Sequence, residues 1–510
     1  MHMAIGASLA GLLATALLAG SARAADPDLS HMSGGQLTAF TRAMPKGGEL
    51  HIHLGGAIFA ETELRWAAED GGCVDIKALA IRPPCQPTDE LRPAAEVIKD
   101  AALYSAMLDS LSTRHPGFMG RSGHDQFFTT FARGGFGPTR TGDAVAEVAN
   151  RLAAENTFYV ELMITPQSQA ATAIGRQVGW RDDLPALKAA MSAAGLDDLV
   201  AKAMADTDAI EARSRQVMGC GAPAAQPGCQ VTVRYLAQTT RVLSLPEVFA
   251  QAQLAVALIH RDHRWVGVQT VAPEDDPAAL RNFDAEMRIF DFLTDHGRST
   301  PLALHAGELT LAYATPGDLA DHVARSVRVA GARRIGHGVD IAHEDGAEAL
   351  AAEMAASKVL VEINPTSNDD ILGVKGAQHP YAWLRARGVP TALSTDDPGI
   401  LRIDLSHEYE RAAREGATYG DLKASARNAI AFSFLSGAAL WSDPGAYRAP
   451  ALACADRVGQ ERPSAGACAE LVASSDKARE QWRLEYLLNR FEAKVAGSQS
   501  SPPRRRRRAK

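Results

Sequence analysis

None of the six cysteines belongs to a Cys-x-x-Cys pair, which removes the usual thiolate cradle for a structural zinc and the dithiol of a redox centre. No Gly-x-Gly-x-x-Gly run follows the first apolar strand, so a dinucleotide fold finds no support there. After residue 18 no stretch is apolar enough to cross a bilayer, and stable membrane insertion is not expected. Positive charge is not in excess either: the formal net charge is -7, so nucleic acid is not the expected partner. At 46% apolar and 22% charged residues, the 510-residue chain is otherwise of ordinary globular composition and long enough for a large core.

The N-terminus reads as an export signal over residues 1–24. Ala7 to Leu18 is a short apolar run followed by Ala22-Arg23-Ala24, although Met1-His2-Met3 carries no Lys or Arg. A periplasmic or secreted location is therefore expected. The cysteines agree, falling into three close pairs: Cys73 with Cys85, Cys220 with Cys229, and Cys454 with Cys468. Six cysteines allow about 15 connectivities, and the sequential one closes the shortest loops. At the other end, residues 498–510 hold Arg504 to Arg508 and read as a disordered tail, with adhesion to an anionic surface as a weaker reading.

Between these ends, residues 25–43 form a lead-in and Glu49–Leu54 a first strand. Alternation puts His51 and His53 on one face and Leu50, Ile52 and Leu54 on the other. Seven further apolar runs read as buried parallel strands: Phe158–Ile164, Val231–Ala237, Trp265–Thr270, Pro301–His305, Arg334–Gly338, Val359–Ile363 and Thr391–Ser394. Eight strands with helices between them predict an α/β fold, a TIM-type (β/α)8 barrel over residues 44–440. A helical insertion over about 57–156, rich in Phe near residues 123–136, is placed to roof a cavity. A C-terminal helical extension over 441–497 completes the chain.

In such a barrel the chemistry sits at the C-terminal strand ends. Those ends carry His51 and His53, then His305-Ala-Gly-Glu308, then Gly336-His337-Gly338, then Ser394-Thr-Asp396-Asp397-Pro398. Three imidazoles and a carboxylate, namely His51, His53, His305 and Asp396, suit one Zn2+ per subunit with a position left for water. His337 and Glu308 are then the base and the acid, and Asp397 is free to bind substrate. His115, His124, His260, His263 and His407 fall outside these strands and are read as ordinary packed or surface residues.

These motifs, with Met44–Leu54 (MPKGGELHIHL), Tyr159-Val-Glu161 and Glu362–Asn368 (EINPTSN), resemble the adenosine deaminase family of zinc hydrolases. The likeness is greatest to the secreted adenosine deaminase-related growth factor branch and runs over roughly residues 44–435. The resemblance implies hydrolysis of adenosine or deoxyadenosine to the inosine product and ammonia. His337 would deprotonate the water, Glu308 protonate ring nitrogen 1, and Asp397 hold ring nitrogen 7. The partner implied is a purine nucleoside, and the oligomeric state is not given. Two positions depart from the family. Gly55 stands where many members have a ribose-binding Asp, and Val271–Asp275 replaces a Gly-containing loop whose backbone meets the purine, leaving Ala272 to supply that amide. A different 6-aminopurine, or a non-catalytic nucleoside-binding protein, is the alternative reading.

Overall fold

The computed structural model describes residues 26–82, 85–448, 450–454, 458–463 and 465–499. The signal segment and the arginine run lie outside the described residues. Eight parallel strands build the centre: β1 Gly47–His53, β2 Thr157–Ile164, β3 Thr232–Thr240, β4 Trp265–Val271, β5 Ala303–Ala306, β6 Arg334–His337, β7 Leu360–Ile363 and β8 Thr391–Leu393. Each falls on an expected run, because a strand covered on both faces must be apolar along most of its length. They form two four-stranded sheets, β1-β2-β3-β4 and β8-β7-β6-β5.

Each of the two seams between the sheets is joined by one parallel bridge, Ile52 with Asp396 and Val268 with Leu302. At the first seam the His53 N–H donates to the Asp396 carbonyl at 3.0 Å, and the Asp396 N–H donates to the His51 carbonyl at 2.9 Å. Leu50, Ile52, Val160, Leu162, Leu304, Ile335 and Val361 are buried in the main core between strands and surrounding helices.

The segment between β1 and β2 is helical at Ala60–Glu69, Ala101–Ser110, Gly123–Arg133 and Thr141–Ala154. It also holds a three-stranded antiparallel sheet, Cys73–Asp75, Ala80–Arg82 and Leu91–Pro93, inside the insertion that was expected to be helical. Strands of three residues are too short to show an alternation. The three disulfides join the cysteines sequentially, Cys73–Cys85, Cys220–Cys229 and Cys454–Cys468. Past the barrel, helix Asp476–Gln499 lays Leu484, Leu488 and Phe491 on the main core, while Arg427 makes a two-pronged pair with Glu485, both bonds 2.7 Å. No helix among the described residues is long and apolar enough to cross a membrane.

Candidate active site

The strand ends bring the expected residues together. His51 Nε2 lies 3.4 Å and His53 Nε2 3.2 Å from Asp396 Oδ1, and His53 Nε2 lies 3.3 Å from His305 Nε2. His51, His305, His337 and Asp396 each offer an atom within 4.8 Å of the others, and His53, Asp396 and Asp397 form a second such set. The two sets overlap at Asp396, one using His53 and the other His337.

The chemistry of the donors fits a borderline divalent cation, and so does their spacing. Ligands about 2.0–2.1 Å from a tetrahedral zinc stand roughly 3.4 Å apart, which is the separation of the Nε2 and Oδ1 atoms above. His51 Nε2, His337 Nε2 and Asp397 Oδ1 are buried without a hydrogen-bond partner, as atoms awaiting a ligand would be.

Side chains behind the cluster set its geometry. His51 Nδ1 meets Glu362 at 2.7 Å, His53 Nδ1 meets Gln238 at 3.0 Å, and Ser367 donates to Asp396 Oδ2 at 2.7 Å. Glu362 in turn accepts from Arg334 Nε at 2.7 Å, and Arg334 pairs with Glu161 at 2.6 Å, all fully buried beneath the cluster. Such partners fix the tautomer and orientation of metal-binding imidazoles. His337, Asp396 and Ala272 also adopt left-handed backbone, with φ of 71°, 64° and 83°. Surrounding contacts hold the strain of these three positions in place.

Burial and neighbours separate the charges. Burial, reinforced by the Asp396 and Glu274 carboxylates, pushes Glu308 well above the usual carboxylic acid range, so it is held as the neutral acid. Asp397 is raised in the same way, by burial and then by Asp396. Burial would raise Asp396 as well, but the neighbouring imidazoles of His51 and His53 hold it well below the ordinary value. Burial lowers His337 to about 3 and holds it neutral. Glu308 sits on a turn whose backbone is pinned by Glu274, which accepts from the N–H groups of Gly307 at 3.2 Å and Glu308 at 2.8 Å. Glu274 is itself held by His322 Nδ1 at 2.7 Å.

A cavity of about 650 Å³ opens above the cluster, in the range of small-molecule sites. His53, Gly55, Gln238, Ala272, His305, Glu308, Asp396 and Asp397 line its floor, and Phe127, Phe128, Phe131 and Phe136 of the insertion line its roof. Both departing positions, Gly55 and Ala272, are thus on the wall. Among the described residues its charged lining is acidic, with Glu63 joining Glu308, Asp396 and Asp397. His124, read as an ordinary residue, ties the roof to the barrel: its Nε2 meets Asp275 at 3.1 Å and its ring stacks on Tyr313 at 4.5 Å.

Known proteins share this fold. The solved structure of an amidohydrolase from Burkholderia ambifaria with bound Zn is 18% identical with a TM-score of 0.51, covering 81% of this chain and 92% of that one. Arabidopsis ADAL complexed with GMP is 21% identical with a TM-score of 0.51, covering 78% and 94%. At these identities the likeness is one of fold. Adenosine deaminases from Shewanella loihica and Serratia proteamaculans are 35% identical over 133 residues and 34% over 137. Each alignment takes in 26% of this chain and only 39% and 38% of the relative, so the chain spans about two fifths of the relatives it matches. The family model described as adenosine deaminase matches residues 138–439, more than half of the chain, from just before β2 through β8. The structure adds β1 with His51 and His53 to that stretch, and with it the chain belongs to the adenosine deaminase family.

Proposed function

We propose that this protein is a zinc-dependent deaminase that converts adenosine or deoxyadenosine to the corresponding inosine and ammonia. The observation that carries this reading is the convergence of His51 and His53 on Asp396 Oδ1, with His305 Nε2 3.3 Å from His53 Nε2, beside Glu308, a carboxyl group that burial raises well above its ordinary range. His51, His53, His305 and Asp396 would hold the ion, whose Lewis acidity lowers the pKa of a water toward about 7.

The chain's own groups do the rest. The neutral Glu308 delivers its proton to ring nitrogen 1 as the water oxygen adds to carbon 6, so that negative charge does not accumulate on the ring. Ring nitrogen 7 is a hydrogen-bond acceptor, and Asp397, held protonated, supplies the matching donor. The proton on the added oxygen passes to the amino nitrogen as its bond to carbon 6 breaks, leaving the carbonyl and releasing ammonia; Glu308 regains its proton from solvent, and one water is consumed per turnover. No Lys or Arg is among the described residues that line the cavity, so the phosphate of a nucleotide would find no cationic side chain to pair with, which supports a nucleoside. In this respect the proposal departs from ADAL, whose solved complexes hold IMP and GMP. Export to an oxidising compartment is part of the proposal, supported by the signal-like N-terminus and the three disulfides.

Metal analysis combined with ammonia release from adenosine, deoxyadenosine, adenine and AMP tests the reading. Activity on the two nucleosides that is lost to a chelator and restored by zinc is expected. Glu308→Ala should keep the metal and lose most of the activity. Failure on both nucleosides would reject the substrate, and a fully active Glu308→Ala would reject the acid.

A further inference from the structure

Helix Pro365–Leu372, following β7, carries Asn368 against His337, and behind it stands His379; neither residue's hydrogen-bonding role was visible in sequence. The three form a directed chain that starts at a donor of fixed identity. The Tyr381 backbone N–H donates to His379 Nδ1 at 3.2 Å. With that nitrogen an acceptor, the ring proton of neutral His379 is on Nε2, which donates to Asn368 Oδ1 at 3.0 Å. The Asn368 amide therefore turns Nδ2 toward His337 and donates to its Nδ1 at 2.9 Å, and the Asn364 amide nitrogen lies 3.4 Å from the same atom. Glu308 Oε1 also lies 3.5 Å from this nitrogen, farther than the Asn368 amide at 2.9 Å, so the amide sets its role and His337 Nδ1 is occupied as an acceptor. The remaining ring nitrogen, Nε2, points into the cluster, buried and without a hydrogen-bond partner, 3.9 Å from Asp396 Oδ2.

We propose that His379 and Asn368 are positioning residues that fix His337 as the Nε2–H tautomer, making it a hydrogen-bond donor in the site and excluding it from the metal ligands. Two consequences follow from where that proton sits. A nitrogen bearing a proton has no lone pair for an ion, so His337 drops out and His51, His53, His305 and Asp396 remain as the ligands. The same ring cannot take a proton from water at Nε2. It donates instead to the oxygen that adds to carbon 6, and the water sheds its proton to solvent before the nucleoside arrives. This revises the base role assigned to His337 from sequence. It rests on the deaminase reading only for what the donated hydrogen bond accomplishes.

The test uses the full-length zinc-loaded protein labelled with 15N-histidine, with the His337 signals assigned by their loss in His337→Gln. The long-range proton–nitrogen spectrum should place the His337 proton on Nε2. In Asn368→Asp the donor becomes an acceptor, and the proton should move to Nδ1. In kinetics, His379→Ala should lower kcat on adenosine about ten- to hundredfold with KM within about threefold and zinc content unchanged. His379→Gln, whose amide can still donate to Asn368, should recover most of the lost kcat. A wild-type proton on Nδ1, or a Gln variant as impaired as the Ala variant, would overturn the relay. If no nucleoside is turned over at all, the deaminase reading falls and the spectrum alone decides the tautomer.

Discussion

Replacing Glu362 with Gln tests whether the charge beneath the cluster serves the metal. The carboxylate lies 2.7 Å from His51 Nδ1 on one side and 2.7 Å from Arg334 Nε on the other, with all three side chains fully buried. Burial alone would raise Glu362, yet Arg334 and His51 hold it below the ordinary range, so it is ionised at neutral pH. The amide introduced by Glu362→Gln would keep the shape and still accept one hydrogen bond while removing the charge. Arg334 would retain Glu161 at 2.6 Å, leaving one cation facing one anion, so the fold should lose only about 1–3 kcal/mol. The larger effect falls on His51, whose basicity drops without an anion behind it. Metal affinity should weaken about 10- to 100-fold, which is about 1.4–2.7 kcal/mol. Competition against a chromophoric chelator gives the affinity, thermal unfolding with and without zinc gives the stability, and activity is titrated with zinc. Activity should return at saturating metal. An unchanged affinity together with a loss that zinc does not restore would refute the reasoning.

Three further perturbations follow from the same geometry. A Cβ at Gly56 would overlap the Asp397 carboxylate, so Gly56→Ala should lower kcat at least about tenfold, cost about 1–3 kcal/mol in thermal stability and leave the zinc content intact. A Cβ at Gly55 meets nothing within 4 Å, so Gly55→Asp should fold with stability changed by less than about 0.5 kcal/mol; a lower KM for adenosine but not for adenine would show that this wall faces the ribose. Burial works to lower the pKa of His124, but Asp275 and Asp125 raise it above the ordinary value. The roof latch should therefore be complete at acidic pH and weaken as the pH rises through the raised pKa; amide protection in Gly123–Arg133, corrected for the intrinsic rise of exchange with pH, should fall over that window in the wild type, and this fall should be absent in His124→Ala.

The barrel was legible because its strands are covered on both sides and appear as apolar runs that end in polar motifs. His51, His305, His337 and Asp396 stood out because each interrupts or ends such a run. Partners drawn from other elements were not legible in that way. Arg334, Glu161 and Glu362 lie within motifs that were noticed, but their mutual pairing exists only once three strands are side by side. Gln238, Glu274, His322 and His379 sit at positions where an uncharged or solvated residue would read the same in one dimension. His124 shows the same limit, since its partners Asp275 and Tyr313 are about 150 and 190 residues away in the chain.

The seam between β1 and β8 joins the two ends of the barrel's chain through the backbone of His51, His53 and Asp396, whose side chains form the proposed metal site. An ion held by His53 and Asp396 would tie a loop of 396 − 53 = 343 residues, worth about 5 kcal/mol of chain entropy by loop-closure scaling. Ring assembly and site assembly are then one event. Selection on the durability of the folded chain would preserve these three ligands even in a descendant that had abandoned turnover. Their retention in a relative is accordingly evidence first of the joined seam between β1 and β8, and the state of Glu308 is the better witness to catalysis.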